Sequence, residues 1–160
     1  MKNVLEQAMG MSDAVWDRHT NPWSGWSRLA IPILFAIAIW SRDWIGGWSL
    51  FLIAMVAVFT WWNPRAFRPP MSVDNWMSRA ILGERIWLGR KRGELPSHHR
   101  NVPMMVAGVS GAGLLPLAWG LWQFDFWATT AGLILIIGSK LWFLDRMVWL
   151  RRDIRGVNRA

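Results

Sequence analysis

Apolar residues in this chain come in long blocks, not at the period of an amphipathic helix or strand. The blocks fall at about residues 22–40, 44–62, 102–122 and 126–149, with polar residues gathered between and outside them. Each is close to the ~20 residues a helix needs to cross the hydrocarbon of a bilayer. The pattern predicts an all-α integral membrane protein with four transmembrane helices. They form two hairpins joined by a cytoplasmic amphipathic connector. Residues 1–160 make one membrane domain, with a polar arm at 1–21 and the connector at 63–101.

Local signals set the expected ends. Asn21 is placed to cap the first helix, and Pro22 at the first helical position gives up no needed N–H. Pro32 should kink that helix. Ser41-Arg42-Asp43 reads as a tight turn with Asp43 capping the second helix, which Asn63-Pro64 should stop. The third helix opens near Asn101 and Pro103 and should bend at Pro116. Gln123-Phe124-Asp125 is the second turn. In the third helix Ala107 and Gly111, and Gly108 and Ala112, are small-xxx-small pairs that let a neighbouring backbone approach.

The connector holds most of the polar specificity. Pro69-Pro70 keeps its first part extended, and a helix is expected from about Val73 to Arg90 with Asp74 in its first turn. At 100° per residue Val73, Trp76, Met77, Ala80, Trp87 and Leu88 share one face within roughly 120°. Glu84 falls in the middle of that face, where a carboxylate must meet a cation or a metal or become protonated. Arg28 and Arg100 are the candidate ion-pair partners. Lys91-Arg92-Gly93-Glu94-Leu95-Pro96 should end the helix.

Charge and composition then orient the molecule. The net charge is +8, and there are 15 tryptophans, no tyrosine and no cysteine. Cysteine's absence removes disulfides, thiol catalysis, iron–sulfur clusters and covalent haem. Basic residues crowd the connector and both termini, while the two tight turns carry only Arg42. By the positive-inside rule both termini and the connector face the cytoplasm of a bacterial inner membrane. Basic residues beside apolar blocks point to membrane lipids and other membrane subunits as partners, and not to nucleic acid. The tryptophans sit mainly near predicted helix ends, as interfacial anchors; others could line a pigment.

Candidate chemistry is sparse. His19, Glu84, His98 and His99 all lie at the predicted cytoplasmic face and could converge as ligands for a divalent metal, or two of the histidines could ligate haem. Asp17 or Asp145 could join them. No HxxxH or ExxH spacing puts two ligands on one helix. Phosphate-binding glycine loops and a nucleophile elbow are also missing. Lys140 is the sole charge well inside a block, with a stem long enough to snorkel toward the cytoplasm, so ion conduction is not expected.

The segments RHTNPWSGWSR (18–28), NPRAFRPP (63–70) and ILGERIWL (81–88), with their HxNPWSxWxR and LGExxW patterns, resemble a family of uncharacterised prokaryotic integral membrane proteins. That resemblance spans roughly residues 15–150 and implies a compact multi-span protein with no assigned activity. The sequence as a whole suggests an accessory, assembly or structural subunit of an inner-membrane complex. The other reading is a membrane enzyme or a cofactor- or metal-binding protein with a His/Glu site.

Overall fold

The computed structural model describes residues 11–89, 95 and 97–157, and every regular element among them is a helix. Arm residues 1–10 and the basic turn Lys91-Arg92-Gly93-Glu94 lie outside them. Helix α1, Asp13–His19, starts at Ser12, whose hydroxyl accepts the Val15 N–H. Helix α2, Pro22–Leu29, opens at Asn21, whose side chain accepts the Trp23 N–H. Pro32 has no N–H for the Arg28 carbonyl, so the helix breaks at Ala30 before α3, Ile31–Trp40. The expected kink is therefore an interruption.

The first reversal is displaced from its expected place. Ser41 is a turn residue as expected, but Arg42–Ile45 follows as the short helix α4. The chain reverses instead through Gly46–Trp48, where Gly46 takes φ 55°. That left-handed φ suits glycine because it has no Cβ to clash. Helix α5 consequently spans Ser49–Ala66, not 44–62, and Asp43 does not cap it. Pro64 lies within its last turn, and the helix ends where Phe67 becomes extended ahead of Pro69-Pro70.

Helix α6, Trp76–Gly89, begins beyond Asp74, and the Asn75 side chain accepts the Ser78 N–H in the capping role. A short α7, Ser97–Arg100, leads into α8, Val102–Gln123. Phe124 then adopts φ 58° and the Asp125 N–H bonds back to the Gly120 carbonyl, closing the second turn as expected. Helix α9, Phe126–Val157, outlasts its apolar block. From Lys140 onward it forms the wall against which α6 packs.

Helices α3 and α5 form one hairpin, and α8 and α9 the other. Close approach in the second depends on Gly113, Gly120 and Gly132: a Cβ on Gly120 would lie 2.3 Å from the Thr129 nitrogen. Gly83 performs the same service between α6 and α9, where a Cβ would lie 2.0 Å from the Met147 carbonyl oxygen. The buried face of α6 includes Met77, Ser78, Ala80, Ile81 and Gly83. It agrees with the expected stripe at Met77 and Ala80, with Trp76, Trp87 and Leu88 packed against the core, and widens it to Ser78, Ile81 and Gly83, where the backbone contact with α9 falls. The hydrophobic core joins this face to Trp16 and to Phe143, Leu144, Met147, Leu150 and Ile154 of α9.

The core thus gathers α1, α6 and the part of α9 from Phe143 to Ile154. Two stretches are long and apolar enough to cross a membrane, Pro22–Ala66 and His98–Gln123. Only 6% and 17% of their most apolar windows are buried. At the end of the hairpins away from this core, Arg42 donates to the Leu121 and Trp122 carbonyls and lies over the Phe124 ring.

Candidate functional site

A half-open cavity of about 330 Å³ lies among α1, α2, α6 and α9. Its walls are apolar, with Trp16, Leu29, Met77, Ile81 and Leu144, and its polar groups are His19, Arg28, Glu84 and Lys140. Each group is held by the packing just described. Arg85 of α6 binds Asp13 at 2.6 Å and Asp17 at 3.3 Å, fastening α1 over the cavity. The Asn21 side chain donates to the Arg68 carbonyl at 2.9 Å, fixing the start of α2.

His19 is locked by a buried chain of hydrogen bonds. Its Nδ1 lies 2.8 Å from Ser24 Oγ, which donates to Asn63 Oδ1 at 3.1 Å, and Asn63 donates to Ser27 Oγ at 2.7 Å. Ser24 uses its proton on Asn63, so it accepts from His19 Nδ1–H. His19 Nε2, 3.3 Å from Arg28, is then the acceptor. The imidazole is neutral, with both nitrogens engaged. Burial, followed by the Arg28 charge, lowers its pKa to about 4. The lone pair that would bind a metal is turned to a guanidinium.

Glu84 finds its cation on α9. Lys140 Nζ donates to Glu84 Oε1 at 3.0 Å, so neither expected partner, Arg28 or Arg100, makes this ion pair. Burial pushes the Glu84 carboxyl up, but the Lys140 charge and hydrogen bond outweigh it, and the carboxyl sits below its usual range. The Lys140 stem carries the ammonium out of the apolar block, with the cation 4.8 Å from the Phe143 ring centroid. Arg28 has no carboxylate within ion-pair reach among the described residues. Two cations face one anion here, so the cavity keeps an excess positive charge.

His98 and His99 belong to a separate place. Their Nε2 atoms lie 3.0 and 2.8 Å from the same oxygen of Asp153 on α9. Among the described residues this is the one set of three metal-ligating groups whose ligand atoms lie within 4.8 Å of one another. The four ligands expected to converge are therefore divided into two pairs, and Asp153 completes the second pair. Asp17 and Asp145 join neither, being matched to Arg85 and Arg146. The two hydrogen bonds from His99 and His98 hold the Asp153 carboxyl below its usual range.

Ala107, Gly108, Gly111 and Ala112 face outward, and a Cβ on Gly108 or Gly111 would meet nothing within 4 Å. They do not make the α8–α9 contact. Lys140, Asp153, Ser24 and Asn63 are the site residues that sequence reasoning did not pick. Lys140 had a readable signal, as a cation deep in an apolar block matching a lone anion on an apolar face.

Comparisons with curated proteins and with solved structures give no match. A family model matches the whole of residues 1–160. With that match beside the helical architecture, the chain belongs to the family of unknown function DUF6653.

Proposed function

We propose that the protein is a four-span inner-membrane protein that binds a small amphipathic molecule with a carboxylate or similar anionic head at its cytoplasmic face. The observation that carries this reading is the apolar-walled cavity in which Arg28 and Lys140 face the single carboxylate of Glu84. Its volume of about 330 Å³ lies at the small end of ligand pockets. An apolar tail gains by leaving water, and an anionic head gains from Arg28, whose guanidinium can bind a carboxylate through two N–H groups.

The four-span arrangement is supported by the outward-facing apolar blocks, since a soluble core helix would bury that surface. It is supported too by the basic residues gathered on one side of the hairpins. The cysteine-free chain allows a direct test. Cysteines replacing Arg68 and Arg152 should react with an impermeant maleimide only in inverted vesicles, and those replacing the exposed Asp43 and Asp125 only from outside.

Ligand binding is tested with a fluorescent medium-chain fatty acid and protein in nanodiscs. Saturable binding that weakens at least tenfold in Arg28→Gln is the expected result. Equal fluorescence with wild type and folded Arg28→Gln would reject the reading. A second reading, an accessory subunit of a larger complex, is favoured by the outward small-residue face of α8. It expects a stoichiometric partner in mild detergent that is lost in Gly108→Leu/Gly111→Leu.

A further inference from the structure

Beyond the cavity, a second cleft of about 330 Å³ opens between the start of α6 and the end of α9. Arg79, Arg151, Arg152 and Arg155 line it, with Asp74 as the one acidic residue of its wall among the described residues. Four guanidiniums against one carboxylate leave three positive charges. Asp74 is itself highly exposed and 3.8 Å from Arg79, a weak pair.

Arg151 makes the arrangement more than a solvated basic face. The residue is only 5% exposed, its stem packed away and its guanidinium opening on the cleft. No hydrogen bond or ion pair to its side chain occurs among the described residues. Burial, then Arg155 and Arg79, disfavours its charged form. Residues 151 and 155 are four apart on α9, a spacing at which like charges repel. The dipole of α9 welcomes cations in its last turn, which accounts for Arg155 but not for a buried Arg151.

The geometry points to a phosphate group as the ligand of this cleft, held by Arg151 with Arg79 and Arg155. Planar guanidiniums bind phosphate oxygens in bidentate fashion, and several can share one dianion. The phosphate could come from an anionic phospholipid or from a soluble phosphorylated molecule. The lipid source rests on the four-span placement. It is suggested by Trp149, half exposed just before the cleft, with the Arg152 guanidinium 5.1 Å from its ring centroid.

The test uses the full chain in detergent, with two probes. Native mass spectrometry follows retention of phosphatidylglycerol, and thermal unfolding follows addition of inorganic phosphate. The variants are Arg151→Gln, Arg155→Gln and Arg151→Lys, with Arg146→Gln as the control on the same helix outside the cleft. For a lipid source, retention falls at least tenfold in Arg151→Gln and Arg155→Gln, less in Arg151→Lys, and not in Arg146→Gln. For a soluble source, phosphate raises the melting temperature of wild type and Arg146→Gln but not of Arg155→Gln, whatever the lipid does. Equal lipid retention in all variants together with no phosphate-dependent shift overturns the proposal. Should Arg151→Gln not fold, Arg79→Gln and Arg155→Gln carry the same comparison. Neither probe reports on the fatty-acid cavity, so failure here is separable from failure there.

Discussion

Lys140, the most deeply placed charge of the last apolar block, reaches Glu84 on the connector helix and pairs with it at 3.0 Å. Each residue looks misplaced on its own element. Together they join α6 to α9 at the mouth of the cavity.

Removing one member should cost more than removing both. Lys140→Met leaves Glu84 on an apolar wall and should destabilise by about 1–2 kcal/mol, since Lys140 is half exposed and the pair is partly screened. Lys140→Met/Glu84→Gln should cost less than the sum of the single variants. A double-mutant cycle by thermal unfolding in detergent checks this, and strict additivity would count against the coupling.

His19 should make the fold acid-sensitive. Its folded pKa is about 4 against 6.5 in the unfolded chain. Between those values the unfolded state binds the extra proton, so stability falls as pH drops from about 6.5 to 4. The full difference amounts to roughly 3 kcal/mol for one group shifted this far. Glu84 and Asp153, both held low, add losses at still lower pH. In His19→Asn, whose amide can still donate to Ser24, the melting temperature should be lower but flatter across pH 4–6.5. An unchanged slope would mean that other groups carry the pH dependence.

Gly83→Ala should be among the most damaging single-methyl changes, because the new Cβ meets the Met147 carbonyl and not a movable side chain. A loss of about 2–4 kcal/mol is expected from such overpacking. Gly108→Ala, with open space around it, should be neutral or slightly stabilising. The ratio of folded yields of the two variants is a simple measurement, and similar yields would argue against the α6–α9 crossing.

His98, His99 and Asp153 supply three of the four ligands that zinc takes. Binding requires each histidine to present an Nε2 lone pair to the metal in place of the hydrogen bond to Asp153. Zinc should raise the wild-type melting temperature by several degrees and do nothing to Asp153→Asn. A wild-type melting temperature indifferent to zinc would leave the three residues as a hydrogen-bonded tie between α7 and α9.

The helical class, the outer limits of α8, the start of α2 and the second turn were legible from local signals. Proline lacks an N–H, asparagine caps and apolar blocks persist whatever surrounds them. The first turn is legible only in part: Ser41 is a turn residue, but the polar Ser41-Arg42-Asp43 does not reveal the Gly46-Gly47 pair a few residues later as the place of the reversal. Polarity permits a turn, but the positive φ at Gly46 makes one. The face of α6 was legible from hydrophobicity as far as Trp76, Met77, Ala80, Trp87 and Leu88, all in or against the core. What hydrophobicity does not show is Gly83, which lets a backbone come near.

Sequence by itself determined what every residue carries with it: block lengths, the positive balance, the lack of thiols and a carboxylate on an apolar face that had to be neutralised. Only the tertiary structure decided which cation neutralises Glu84, and that His19 and Glu84 share one cavity while His98 and His99 meet Asp153 elsewhere. Those pairings join residues more than fifty positions apart, through helix crossings set by glycine contacts. No local pattern encodes such a crossing, since its position depends on both helices at once.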